Sequence, residues 1–151
     1  LPKQKGDIVD ENGHFIKHHH GLPFYTIGQR KGLEIGGGYS DSPEPWFVAD
    51  KLVESNEIIA VQGDHPLLYH NTLVADSVHW IDQSPTLPHK CSAKIRYRQA
   101  SQECQIMGID GDCMQVVFTE PQRAITPGQS IVFYDLDVCL GGSVIKSKSN
   151  E

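Results

Sequence analysis

The chain has 151 residues, a formal net charge of −6 and a hydrophobic fraction of 38 %. That length accommodates one ordinary domain or two small ones with real cores, and the acidic balance argues against a protein that coats nucleic acid non-specifically. No apolar stretch approaches the roughly 18–20 residues that span a bilayer, so no membrane partner and a cytoplasmic location are expected.

The opening "LPKQKGDIVDENG" contains no apolar run resembling a signal peptide. It also lacks an initiator Met, which fits an expectation that the chain is a piece of a longer protein. "DIV" and "HFI" flank "DENG", a turn signal, and predict a short hairpin. "TIGQRKG" predicts one short helix with Thr26 as N-cap and Gly32 at its end. "GLEIGGGYSDSPEP" follows as a flexible loop, because three consecutive glycines and two prolines oppose regular structure.

"PWFVADKLVESNEIIAVQ" holds two apolar runs around "ESNE" and predicts a second antiparallel pair. A helical turn is expected in "DHPLLYH", with Asp64 capping and Pro66 in the first turn. Beyond a boundary near Asn71 come "NTLVADSVHWI", "CSAKIRYRQ", "ECQIMGI", "CMQVVFTE", "QSIVFYD" and "GSVIKS", all strand candidates. "DGD" should turn the chain between two of them, and "TPGQS" is a tight turn with Pro127 fixing φ and Gly128 accepting φ > 0. The fold class expected is therefore mainly β: a small β-rich domain with a short helix over 1–70, then an antiparallel β-barrel over 71–151. Closure removes the exposed edges that so many short strands would otherwise leave.

Charge is segregated. Gln83 to Gln102 contains no carboxylate yet carries Lys90, Lys94, Arg96 and Arg98. Asn12 to Leu33 is likewise acid-free, with Lys17, Arg30 and Lys31, and Pro121 to Tyr134 is a third such stretch. If "AKIRYRQ" is a strand, Lys94, Arg96 and Arg98 project from one face about 6–7 Å apart, close to a phosphate repeat, while Ile95 and Tyr97 face the core, with Tyr97 near enough to the strand end to swing its hydroxyl outward. Two readings stay open at this point: an RNA-contacting ledge, or an amphipathic strand with solvated cations. Arg30 and Lys31 could serve a phosphate backbone or simply suit the negative end of the predicted helix.

Other chemistry finds little support. His18–His20 invite a metal, but only His18 and His20 would share a face of an extended segment and no Cys or carboxylate completes a shell, so no metal site is expected. Cys91, Cys104, Cys113 and Cys139 form no CxxC pair and are expected as reduced structural thiols. The glycines fit neither GxGxxG nor a P-loop, and no nucleophile elbow occurs.

"YTIGQRKGL", "PWFVADK", "KIRYRQ", "AITPGQSIVFY" and "CLGGSVI", in this order from about Gly6 to Ile145, resemble the C-terminal part of the tRNA-specific 2-thiouridylases. The resemblance implies ATP-dependent sulfurtransfer to the wobble uridine of tRNA by the full-length enzyme, with ATP and magnesium used by an N-terminal PP-loop domain. It implies a persulfide sulfur-donor protein as a partner of that domain, and a central domain plus a translation-factor-like barrel that help to hold tRNA. No SGGxDS-type loop is present, and none of the four cysteines matches a catalytic position, so no catalytic residue and no cofactor are expected within this chain. Arg96, Tyr97 and Gln129 match family positions that contact tRNA; Arg30 and Lys31 match a motif near the domain junction. His19 matches a family histidine, whereas Lys17 and Ser143 stand where the family usually has Gly. The alternatives are a barrel that serves as scaffold without touching tRNA and, more remotely, a free-standing enzyme built on a Cys–His site.

Overall fold

The computed structural model describes residues 4–151, so the first three residues of the 1–70 domain lie outside the described residues. The chain divides into two units, one ending at Leu68 and one spanning Tyr69–Glu151.

In the first unit β1 (Gly6–Val9) and β2 (Phe15–His19) form the expected hairpin. The "DENG" turn is fixed by Asp10, whose carboxylate accepts the N–H groups of Asn12 and His14, each at 2.9 Å. β3 (Trp46–Leu52) and β4 (Glu57–Gln62) pair antiparallel around the "ESNE" turn, also as expected. Periodicity could not reveal how the hairpins join: β1 runs parallel to β4, with Ile8 opposite Ile58, giving the order β2-β1-β4-β3. Ile8, Val48, Ile58 and Val61 are fully buried, each contributing about 1.5–3 kcal/mol by leaving water.

The helix predicted over Thr26–Gly32 does not form. Gly28 N–H donates to Val48 O (2.7 Å) and Val48 N–H to Gln29 O (2.9 Å), so the segment's backbone is satisfied by β3. The Gln29 side chain takes the capping role instead, its Oε1 accepting Thr26 N–H at 2.9 Å. Among the described residues of this unit the helical ones are two 3-10 turns, Leu22–Phe24 and Pro66–Leu68. The second falls where a turn was expected, and at its start His65 Nδ1 accepts Leu67 N–H at 3.0 Å.

Lys17 and Lys51 tie the irregular connection to the sheet. Lys17 Nζ donates to the carbonyls of Leu33 and Glu34, and Lys51 Nζ to those of Leu22 and Tyr25. Partial burial pulls the Lys51 ammonium below its ordinary pKa.

The second unit is a closed six-stranded barrel in the order β10-β5-β8-β7-β6-β9, every pairing antiparallel. Its strands are β5 (Tyr69–Trp80), β6 (His89–Lys94), β7 (Gln102–Gly108), β8 (Met114–Arg123), β9 (Ser130–Asp135) and β10 (Val138–Ser149). Alternate residues fill the interior, among them Leu73, Ile106, Val116, Ile131, Phe133 and Ile145, all essentially inaccessible. Trp80 covers Phe133 with ring centroids 5.9 Å apart. β5 and β10, each of 12 residues, bend around the barrel at register shifts, two of them in their mutual ladder. Gly141 makes that bend possible, since a Cβ there would lie 2.2 Å from His79 O. Ser143 is buried and its hydroxyl donates to Asp76 O, bracing the same seam.

Candidate nucleic-acid interface

The quoted cationic stretch is not a continuous strand. β6 stops at Lys94 because the next N–H, on Ile95, is claimed by Gln99 Oε1 (2.9 Å). Gln99 N–H then closes on Arg96 O, and Gln99 Nε2 donates to Gln122 Oε1 at 2.8 Å, anchoring the turn to the end of β8. Lys94, Arg96 and Arg98 therefore do not share a pleated face. Ile95 is buried as expected, whereas Tyr97, expected to face the core, is 94 % exposed at the turn's tip between two exposed arginines.

Strand direction places this turn. β6 and β9 are antiparallel with Lys94 opposite Val132, so the residues after β6 emerge beside those before β9. The connection from Ala124 to Gln129 lies at that same end, following Arg123 at the end of β8. In "TPGQS" Gly128 has φ 91°, Gln129 N–H returns to Thr126 O, and Ile145 N–H donates to Gln129 O at 2.8 Å. The backbone of Gln129 is thus pinned to β10 while the residue itself is exposed. Lys146 and Lys148 follow Ile145 on β10 toward this end.

Closure of the barrel collects charges that are scattered in sequence. Six of the unit's seven cations (Lys94, Arg96, Arg98, Arg123, Lys146 and Lys148, with Lys90 the exception) lie at or near this end. Glu103, Glu120 and Glu151 are the acids on that side, and Thr119 Oγ1 donates to Glu103. The opposite end carries Asp135 as the last residue of β9, with Asp82, Asp110, Asp112 and Asp137 in the loops after β5, β7 and β9. The unit is electrostatically polarised even though the chain is acidic.

Individual cations are held differently. Lys94 Nζ stands 5.2 Å from the Tyr134 ring centroid, a cation–π contact. Arg96 Nη2 donates to Arg123 O. Partial burial, with the Arg123 guanidinium beside it, lowers the Arg96 pKa from its usual value. Two guanidinium groups kept in proximity repel one another, and an anion seated between them relieves that repulsion. Sequence reasoning missed Arg123, Lys146 and Lys148 as members of the site. The acid-free stretch from Pro121 to Tyr134 was the available signal for the first.

Arg30 and Lys31 belong to the first unit. Both are exposed, and Arg30 borders a recess of about 350 Å³ lined by Gly36–Gly38, Trp46 and Gln62. His19 is fully buried and committed to structure: Nε2 donates to Asn56 O (2.8 Å) and Nδ1 accepts Gly21 N–H (2.9 Å). His18 pairs with Asp7 at 3.0 Å. Among the described residues no group of three or more His, Cys, Asp or Glu side chains could hold a metal ion.

The architecture defines a class: a small mixed β-sheet unit followed by a closed antiparallel barrel. Residues 70–145 match the family described as aminomethyltransferase beta-barrel domain, and residues 1–62 the one described as tRNA methyl transferase PRC-barrel domain. The tRNA-specific 2-thiouridylase MnmA of Ruthia magnifica subsp. Calyptogena magnifica is 66 % identical over 146 residues, which cover 97 % of this chain and 40 % of that relative. The protein of the same name from Hydrogenovibrio crunogenus is 53 % identical over 150 residues (98 % and 40 %), and that from Vibrio cholerae 51 % over 150 residues (98 % and 40 %). The chain belongs to the tRNA-specific 2-thiouridylase family and corresponds to its C-terminal portion. It spans about 40 % of the length of the curated relatives it matches.

Proposed function

We propose that this chain is the tRNA-docking portion of a tRNA-uridine 2-sulfurtransferase acting at the wobble position, and that alone it binds tRNA without modifying it. The observation that carries the reading is the gathering of six of seven barrel cations around an exposed Tyr97 and the pinned Gln129 turn. Lysine and arginine side chains there neutralise phosphates and release counterions, which supplies affinity and register. Tyr97 offers a flat apolar face on which an unpaired base can stack, and Gln129 can hydrogen-bond to sugar or base edges. In the first unit the exposed Arg30 and Lys31 are RNA contacts in their own right.

In this reading the bond-making steps, with their ATP and magnesium, and the persulfide-carrying donor protein belong to the rest of the enzyme. The nearest thing here to a phosphate cradle, Gly36–Gly38, is not followed by the Lys and Ser/Thr of a phosphate-binding loop. A scaffold role without RNA contact draws on one observation, that Lys94 and Arg96 already have internal partners. A titration separates the two. Unmodified tRNA is added to the chain between about 50 and 200 mM salt, comparing wild type, Arg96→Ala/Arg98→Ala, and Lys90→Ala as a control on the other half of the barrel. Docking predicts several-fold weaker binding for the double variant and a log–log salt slope flattened by roughly 1.4–1.8, with Lys90→Ala unchanged. Equal affinity and slope for all three proteins would favour the scaffold.

A further inference from the structure

The barrel contains a second feature that its role in RNA docking does not use. Cys91 on β6 and Cys104 on β7 are direct cross-strand partners, and their sulfurs are 3.9 Å apart. Both strands present these residues to the same face. Cys104 is buried among the core residues, and Cys91, packed against the same core, is half-buried. Of the two thiols, Cys91 is the less buried.

We propose that Cys91 and Cys104 form a reversible dithiol–disulfide site, oxidised by a peroxide at Cys91, the less buried of the pair. The Cys91 thiolate sulfur displaces hydroxide from the peroxide: an S–O bond forms, the O–O bond breaks, and the hydroxide takes up the thiol's proton to leave as water. Cys104 sulfur then attacks the resulting sulfenic acid at Cys91. An S–S bond forms, the S–O bond breaks, and the Cys104 proton leaves with that oxygen as a second water. Two thiols and one peroxide yield one disulfide and two waters, the sulfurs supplying both electrons.

The division of labour follows from the contact between the sulfurs. Cys91 is the less buried of the two, and the hydrogen bond with Cys104 lowers its pKa against the opposing effects of burial and nearby Asp135. The same contact, together with burial, pushes the Cys104 thiol well up and keeps it protonated until it is needed. Forming the bond requires the sulfurs to close from 3.9 Å to about 2.0 Å, a movement within reach of side-chain rotation and a slight approach of the two strands. The link would tie the base of the β6–β7 hairpin, whose tip is the Arg96–Arg98 turn. Any effect on tRNA rests on the docking reading above; the chemistry at sulfur does not.

The test uses the reduced 151-residue chain, one equivalent of hydrogen peroxide, alkylation after denaturation, and mass spectrometry. The expected product has lost two hydrogens, with the Cys91 and Cys104 peptides linked, Cys113 and Cys139 alkylated, and full reversal by dithiothreitol. Cys104→Ala should stop at a sulfenic acid on Cys91 that dimedone captures, and Cys91→Ala should leave Cys104 unmodified. Over-oxidation of Cys91 with Cys104 still free, linkage through Cys113 or Cys139, or a disulfide in either variant would overturn the assignment. None of these readouts involves RNA, so the failure of one proposal is distinguishable from that of the other.

Discussion

Replacing Gly141 by alanine tests how the barrel closes. A Cβ at this position would sit 2.2 Å from His79 O and about as close as 3.0 Å to Trp80 Cα, all backbone atoms of β5. Real Cβ contacts essentially never fall below 3.0 Å, so β10 must separate from β5 where Gly141 pairs with Trp80. Overpacking of that kind costs about 1–3 kcal/mol. The backbone at Gly141, with φ 154°, adds strain of a similar order for any side-chain-bearing residue. A loss of about 3 kcal/mol in a domain of this size lowers the melting midpoint by roughly 12–24 °C.

The natural comparison is Gly128→Ala. Its φ of 91° is equally unsuited to alanine, but nothing lies within 4 Å of the added carbon. It should therefore cost only about 1–2 kcal/mol of backbone strain. Thermal melts of both variants in a Trp46→Phe background follow the barrel through Trp80 fluorescence. If Gly141→Ala melts within a few degrees of its parent, or no lower than Gly128→Ala, the close approach of β5 and β10 is not what closes the barrel.

Two further outcomes concern the first unit. His19→Ala strips partners from the buried Gly21 N–H and the part-buried Asn56 O; at about 1–3 kcal/mol for a buried group left unpaired it should shift the urea midpoint reported by Trp46 far more than His18→Ala, which removes an exposed pair with Asp7 and an edge contact with the Phe15 ring. Asp10 supplies a pH signature: burial raises its pKa, but the N–H groups of His14 and Asn12 and the His14 imidazole together hold it below the ordinary carboxyl value of 3.8. A carboxyl depressed by folding contributes stability above its unfolded pKa that is lost as pH falls through the folded one, so the advantage of wild type over Asp10→Asn should be intact at pH 5 and shrink below 3.8. Urea midpoints across that range check it, and a difference independent of pH would contradict it.

Much of the fold is legible in local sequence because its turns are local. "DENG", "ESNE", "DGD" and "TPGQS" each sit where the chain reverses. The parallel pairing of β1 with β4 is a long-range choice that neither turn chemistry nor periodicity encodes. Two misreadings share one physical cause. Both lie in side-chain or tertiary hydrogen bonds that local propensity does not encode: over residues 26–32 the backbone of Gly28 and Gln29 bonds to Val48 of β3 instead of within a helix, and at residue 95 Gln99 Oε1 takes the N–H that would continue β6. The same effect turns Tyr97 outward, although Ile95 enters the core as alternation requires. Arg96, Arg98 and Gln129 could be singled out from the chain, but their nearness to Arg123 and Lys146 is a product of closure and register. The Cys91–Cys104 contact likewise exists only through the β6–β7 pairing.

The polarity of the barrel can be probed at two residues of equal exposure on opposite ends: Tyr97, 94 % exposed in the cationic turn, and Leu136, 93 % exposed in the acidic turn after β9. A photoactivatable phenylalanine analogue is placed at each in turn and irradiated with tRNA at moderate salt. RNA docking on the cationic end predicts strong cross-linking from position 97, suppressed by excess unlabelled tRNA, and background yield from position 136. Equal yields from the two positions, or a higher yield from position 136, would contradict it.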